Sequence, residues 1–208
     1  VTERKRSEMI MQKRFELMDF AARHSLEEIM QMTTDEVCNL TSSAFGFFHI
    51  MEADQTTLGL QIWSTNTLSL FNVPVSEGRH QSVEQAGVWA EAVHQRRAVI
   101  HNDYESLSNK KTLPPGHAPL MREMVIPIIR HEKILAVMGV ANKPEDYTLQ
   151  DLEIAERFTD YAWDITERKQ VALGLAEERN QLATRVEERT ADLSRANANL
   201  GRALRVKD

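Results

Sequence analysis

Cysteine is all but missing from this chain: Cys38 stands alone among 208 residues. One thiol cannot close an internal disulfide, and it leaves no pair for a zinc site or a redox couple, so a reducing cytoplasm is the expected home. Long apolar runs are missing too. No stretch of about 18 apolar residues occurs, and Glu3-Arg4-Lys5-Arg6 has no apolar segment behind it, so neither a membrane span nor a signal peptide is read and no direct membrane contact is expected. Basic excess is absent: the net charge is −6, which argues against a nucleic-acid partner because phosphate contacts need a concentrated basic surface. The most basic region, 166–208, carries 9 Lys or Arg against 7 Asp or Glu, interleaved as on a solvated helix face. Gly-Lys-Ser, Gly-x-Ser-x-Gly, His-Glu-x-x-His and Cys-x-x-Cys do not occur, which removes the usual signals for nucleotide, acyl-transfer and metal chemistry. No catalytic residue, metal ligand or cofactor is assigned.

What is present is clear periodicity. Residues 2–24 lack Gly and Pro and set Ile10, Leu17, Phe20 and Ala21 at helical spacing. Ser25 and Glu28 form a capping box that opens a second helix to about Ser43, with Leu26, Ile29, Met30, Thr33, Val37 and Leu40 on one face. Period two then takes over. Phe45, Phe47, His49 and Met51, a polar turn from Ala53 to Thr57, and Leu58, Leu60 and Ile62 make a hairpin. Ser82 and Gln85 read as another helix cap before Ala86, Trp89, Ala90 and Val93, and a short strand, Ala98 to His101, follows.

Asn102 to Pro119 is a loop too long to be a plain connection, placed to lie over a site. Glu123 to Arg130 and Lys133 to Ala141, joined at His131-Glu132, are rich in Val and Ile and read as central strands. Thr148 with Asp151 caps a last helix that meets no proline before the end of the chain. Heptad positions a fall on Phe158, Ile165, Ala172, Arg179, Val186, Leu193 and Leu200, and d on Tyr161, Arg168, Leu175, Leu182, Arg189, Ala196 and Ala203. Arg168, Arg179 and Arg189 interrupt that seam, so a coiled-coil dimer of modest strength, able to change register, is expected.

Thr-Glu-Arg-Lys occurs twice, at Thr2 to Lys5 and Thr166 to Lys169. The second copy, within Asp164-Ile165-Thr166-Glu167-Arg168-Lys169, resembles the signature that closes PAS domains in bacterial sensor proteins. The order of elements resembles a GAF domain. Further residues resemble the motif series of a GAF subfamily of bacterial sensor kinases: Ile62-Trp63-Ser64, Ala86-Gly87-Val88-Trp89-Ala90-Glu91, Val99-Ile100-His101-Asn102-Asp103-Tyr104, Leu113-Pro114-Pro115-Gly116-His117, Leu120-Met121-Arg122-Glu123-Met124, Val125-Ile126-Pro127 and Gly139-Val140-Ala141-Asn142-Lys143. Arg185-Val186-Glu187-Glu188-Arg189-Thr190-Ala191-Asp192-Leu193 resembles the linker before a histidine-kinase dimerisation domain, whose phospho-acceptor box is not among these residues.

The resemblance implies an α+β GAF fold: a central antiparallel sheet of five to six strands, helices packed on one face, and long terminal helices. It divides the chain into an incoming signalling helix at 1–24 after an upstream PAS domain, a GAF sensory domain at 25–165, and an output helix at 166–208 leading to a kinase. The fragment itself is expected to carry no enzyme activity. Its expected partners are a second copy, through both terminal helices, and an unidentified small molecule. A ligand-free dimerisation spacer is the alternative, and a small GAF-type sulfoxide reductase a weaker one, since Cys38 sits on the apolar stripe of its helix.

The candidate pocket gathers Trp63 and Trp89 as flat walls for an aromatic ligand with His101, Asn102, Asp103, Tyr104, His117 and Arg122, the last countering a negative group. Against this, the tryptophans also suit an ordinary core and the polar set could simply organise its own loop. His49 reads as a satisfied core residue, and His24 and His131 as solvent-facing. Asn142, Lys143, Tyr147 and Asp151 resemble the N-K-F-D-E motif of cyclic-nucleotide GAF domains, with Leu152 in place of its last residue. That resemblance implies a structural clasp by Asn142, Lys143 and Asp151 between the last strand and the output helix.

Overall fold

The computed structural model describes residues 3–70, 81–85, 87–108, 110 and 118–205. Helix α1 (Glu3–Arg23) precedes α2 (Leu26–Thr41). The capping box at their junction is complete: Ser25 Oγ accepts from the Glu28 amide at 3.2 Å, and the Ser25 amide donates to Glu28 Oε2 at 2.7 Å. At its other end α2 stops at Ser42, which adopts the left-handed conformation (φ 55°).

Strands β1 (Phe45–Met51) and β2 (Thr57–Trp63) form the expected hairpin, and the short α3 (Thr65–Leu70) and β3 (Gln81–Ser82) follow. Ser82 does not open the α-helix expected there. It ends β3, its hydroxyl accepts the Glu84 amide at 3.3 Å, and among the described residues 3₁₀ turns follow at Val83–Gln85 and Val88–Ala90, before α4 (Glu91–Gln95). Extended backbone at Gly87 (φ −78°, ψ −155°) breaks the helix that the apolar spacing suggested. Then come β4 (Val99–His101), β5 (Glu123–Arg130), β6 (Lys133–Ala141) and α5 (Leu149–Arg205). The six strands pair antiparallel in the order β3-β2-β1-β6-β5-β4, so the two Val/Ile-rich strands are interior.

Alternation along each strand divides the core in two. One face of the sheet, carrying Phe48, Met124, Ile126, Ile128, Met138 and Val140, packs on Leu17 of α1, Ile29 and Val37 of α2, and Ala155, Phe158 and Ala162 of α5. The other face, with Phe47, Val99, Val125 and Val137, meets Val83, Trp89, Ala90, Ala92 and Val93 from the turns and α4. Contacts divide the chain into two units, Val1–Thr166 and Glu167–Asp208. In the second unit every residue from Gln170 to Asn199 is exposed, including Leu175, Leu182, Val186 and Leu193. Among the described residues no helix is long and apolar enough to cross a membrane.

Candidate functional site

The sheet face covered by α4 carries an aromatic cluster, and strand register explains how it forms. Phe47 lies opposite Trp63 on one side and Gly139 on the other. Gly139 has no Cβ, and one built there would sit 2.2 Å from the Phe47 ring, so the glycine is what lets that ring lie down on β6. Phe47 then meets both tryptophans edge-on, with centroids 6.2 Å from Trp63 and 5.9 Å from Trp89. Trp63 and Trp89 thus share one face, with Phe47 against both.

His49, two residues along β1, stacks on Trp89 at 5.1 Å. It is 4% exposed, and its Nε2 lies 3.3 Å from the Gln61 side-chain amide, but Nδ1 has no hydrogen-bond partner among the described residues. The reading of His49 as a satisfied core residue is therefore half wrong. Desolvation pushes its pKa down to about 4, so the ring is neutral at physiological pH.

His101 is held more firmly. β4 places it across from Glu123 of β5, whose Oε1 is 3.0 Å from Nδ1, while Glu91 Oε2 at the start of α4 is 3.1 Å from Nε2. Two carboxylates can both be satisfied only by the imidazolium, which donates from each nitrogen. The hydrogen bond to Glu123 leads in raising the His101 pKa, against the opposing effect of burial. Both ring nitrogens are occupied, and His101 ties three elements together.

Most of the other polar candidates are engaged by the backbone or by the β6–α5 connection. Asn102 donates to the Tyr147 carbonyl at 3.0 Å and accepts the Tyr147 amide at 2.7 Å, a two-sided clamp onto the β6–α5 connection. Asp103 accepts the Ser106 amide at 3.3 Å in a local turn. Tyr104 is buried, its amide bonded to the Met121 carbonyl at 2.9 Å. Arg122 was expected to counter a negative ligand group. Its Nε instead donates to Asp146 at 2.9 Å, because the backbone of Asn142 pairs with that of Arg122 and brings the β6–α5 connection within reach. His117 lies outside the described residues.

Below this set lies a second group. Asn142, at φ 58°, donates to the Pro119 carbonyl at 2.8 Å and accepts the Met121 amide at 2.9 Å, closing the end of the long loop onto β6. Lys143 Nζ donates to Asp151 Oδ2 at 2.7 Å, and that same oxygen accepts both the amide and the hydroxyl of Thr148 at 2.8 Å. The end of β6 is thereby pinned to the first turn of α5.

Two further residues were misread or missed. His24 is not simply solvent-facing: it stacks on Phe20 at 3.5 Å and bonds the Phe20 carbonyl at 2.8 Å. Arg130 escaped notice. From the end of β5 it reaches Asp160 at 3.1 Å and Asp164 at 3.2 Å, one helical turn apart on α5. No local signal in the sequence announces a pairing across thirty or more residues.

Cys38 is buried 6% exposed on α2 against Gly46, where an added Cβ would come within 2.5 Å of its sulfur, and desolvation pushes the thiol up to about 12. Among the described residues no cluster of His, Cys, Asp and Glu could hold a metal ion.

The family described as GAF domain matches residues 23–167. The methyl sulfide methyltransferase-associated sensor of Methanosarcina acetivorans is 32% identical over 195 residues, which is 90% of this chain and 19% of that protein, so the chain spans about a fifth of the relative. Similar solved structures include the GAF domain of an Acinetobacter phosphoenolpyruvate-protein phosphotransferase, with 13% identity, 78% of this chain, 95% of that one and a TM-score of 0.62. The GAF domain of a two-component sensor histidine kinase from Bacillus halodurans has 19% identity, 71% and 97% coverage and a TM-score of 0.55. A free methionine-R-sulfoxide reductase from Neisseria meningitidis, solved with its substrate, has 10% identity, 81% and 95% coverage and a TM-score of 0.55. At such identities these structures speak to fold alone. The family match covers well over half of the sequence and coincides with the antiparallel sheet and its two covered faces, and the chain belongs to the GAF domain family.

Proposed function

We propose that this chain is the sensory GAF module of a multidomain signalling protein of the two-component histidine-kinase kind, which binds a small molecule or relays an upstream signal through a dimeric helix. The observation that carries this reading is α5. Its first turns supply core residues Ile154, Ala155, Phe158 and Ala162, and the same helix continues into a stretch with apolar residues at heptad spacing and exposed. A change in how the first turns pack is then a change at the start of the output helix. The sensor named above, similar over 90% of this chain, supports the assignment.

The second copy would meet the exposed seam of α5 and, on α1, the outward residues Met11, Phe15 and Met18. The upstream PAS and downstream kinase domains are inferred from the flanking motifs, and the cytoplasm is the compartment that suits them. Asn102, Asp103, Tyr104 and Arg122 act in this reading as the frame that couples the long loop to the β6–α5 connection, and Trp63, Trp89 and His101 lie on the sensing face. A ligand-free spacer is favoured by one observation, the Phe47 ring resting between the two tryptophans. A sulfoxide reductase is disfavoured, because the single thiol is buried and its pKa raised.

Sedimentation of residues 1–208 against residues 1–165 tests the module. The full chain should dimerise and the truncated chain should do so more weakly; a chain that stays monomeric at high concentration, with no effect of truncation, overturns the reading.

A further inference from the structure

We propose that the aromatic cluster around His49 is the recognition site for a flat, uncharged ligand bearing a hydrogen-bond acceptor, which the Nδ1–H of His49 would engage. The proposal rests on the sensory reading and gives it a ligand chemistry. A buried polar atom without a partner costs free energy that the fold recovers only when something supplies the partner. Among the described residues His49 Nδ1 is such an atom, in a side chain more than nine-tenths buried. With the Gln61 amide donating to Nε2, the neutral ring carries its proton on Nδ1, which makes the orphan a donor. An acceptor on the ligand is its complement.

The surroundings fix the rest of the chemistry. Phe47 and Trp89 lie against His49, each 5.1 Å from its ring, and Trp63 completes the aromatic wall through Phe47. Aromatic walls favour a planar apolar body. The carboxylates that border this face, Glu91 and Glu123, are both engaged by His101, and a neutral His49 offers no positive charge. A charged ligand would be desolvated there without a counter-ion.

The test uses the 208-residue chain carrying Trp163→Phe, so that fluorescence reports Trp63 and Trp89. It is titrated with probes of one shape: quinoline and coumarin, which carry an acceptor, naphthalene, which carries none, and 2-naphthoate, an anion. Quinoline or coumarin should bind about tenfold or more tightly than naphthalene, with 2-naphthoate weakest. His49→Phe should level the neutral probes, and His49→Gln, which keeps a donor, should restore part of the preference. In ¹⁵N–¹H spectra of the otherwise unaltered chain the His49 ring should carry its proton on Nδ1 and shift on adding quinoline, a readout that stands even where a variant fails to fold. The proposal is overturned by no saturable binding of quinoline or coumarin, by an undiminished preference in His49→Phe, or by a proton on Nε2. Dimerisation is measured on the same protein, so loss of probe binding in an intact dimer removes this ligand chemistry and leaves the signalling module standing.

Discussion

Arg130 bonds Asp164 at 3.2 Å, tying the end of β5 to α5 two residues before the Thr166 at which the first compact unit ends. The other arm of the guanidinium holds Asp160, and Arg96, just past α4, donates to the carbonyl of Glu132 in the same hairpin turn. One β-turn therefore touches both the helix over the aromatic face and the helix that leaves the domain. The partners of Arg130 are half-exposed, so each pair contributes only about 0.2–1 kcal/mol. Arg130→Ala should leave the denaturant midpoint of the domain nearly unchanged while amide exchange from Asp164 to Lys169 accelerates about fivefold, the equivalent of about 1 kcal/mol of local stability. Hydrogen exchange with mass readout checks this, and unchanged exchange there would remove the turn from any coupling role.

Two histidines should give stability a maximum near pH 6.5. His101 has a raised pKa, chiefly from its hydrogen bond to Glu123, so its contribution is complete below the ordinary histidine value and is lost as pH climbs through the higher folded one. His49 has its pKa lowered to about 4, so the unfolded chain takes up the proton first, and stability falls as pH drops from about 6.5 towards 4. Urea melts across pH 4–9 should show His101→Gln flattening the alkaline limb and His49→Phe the acid one. Identical profiles for wild type and both variants would contradict the burial of His49 and the hydrogen bonds assigned to His101.

Elements built from local chemistry were legible in the sequence. The capping boxes at Ser25–Glu28 and Thr148–Asp151 appear at their stated positions, and β5 and β6 occupy Glu123–Arg130 and Lys133–Ala141 as read, because cap spacing and β-branched density act over a few residues. What escaped was set by distance or by backbone. Ser82 precedes Gln85 as a cap would, yet Gly87 is extended and the helix breaks. The spacing around Asn102 and Arg122 suggested a ligand lid, whereas their partners, Tyr147 and Asp146, come into reach only when β6 pairs with β5. The aromatic cluster was half visible. Trp63 and Trp89 stand out in any sequence, but Gly139 beneath Phe47 and the open Nδ1 of His49 are facts of register.

Gly139→Ala tests that register. The added methyl would fall 2.2 Å from the Phe47 ring, too close for either to stay, and overpacking of this kind costs about 1–3 kcal/mol. Near-ultraviolet circular dichroism should change with it, since Phe47 contacts both Trp63 and Trp89. Combining Gly139→Ala with Phe47→Leu should recover part of the loss. An additive double variant in urea unfolding would place the methyl somewhere other than against that ring.

The Lys143–Asp151 pair should behave unlike Arg130 and its aspartates. Its side chains are 16% and 10% exposed, and Asp151 Oδ2 also takes both donors of Thr148, so exchanging the carboxylate for an amide removes the counter-charge of a part-buried ammonium and leaves one neutral, weaker acceptor for three donors. Asp151→Asn should cost about 1–3 kcal/mol, and Lys143→Met less, since Thr148 still satisfies the aspartate. The loss should vanish in acid, because the Asp151 pKa is lowered in the folded protein by its bond to Lys143 and the Thr148 donors, against an opposing effect of burial: that stability is present above the ordinary aspartate range and disappears as pH falls through the folded value. Equal costs for both variants would mean that the ion pair, and not the cap, dominates the clasp.

The exposed length of α5 supplies the last test, because an apolar side chain in water has no reason to recur at heptad positions unless something covers it. Leu175, Leu182, Val186 and Leu193 are each more than half exposed, while Arg179 and Arg189 stand at seam positions between them. If a second copy covers the seam, arginine there costs dimer stability and leucine should raise it. Arg179→Leu with Arg189→Leu should tighten dimerisation of the 208-residue chain by at least about tenfold, and Leu182→Ser with Leu193→Ser should abolish it, both read by sedimentation equilibrium. The direction matters more than the size. Tightening by the leucines together with loss by the serines means that the seam faces another helix, and that the arginines keep its grip weak enough for the packing of Phe158 and Ala162 to shift it; two variants that leave the association constant unchanged mean that the exposed leucines have some other partner.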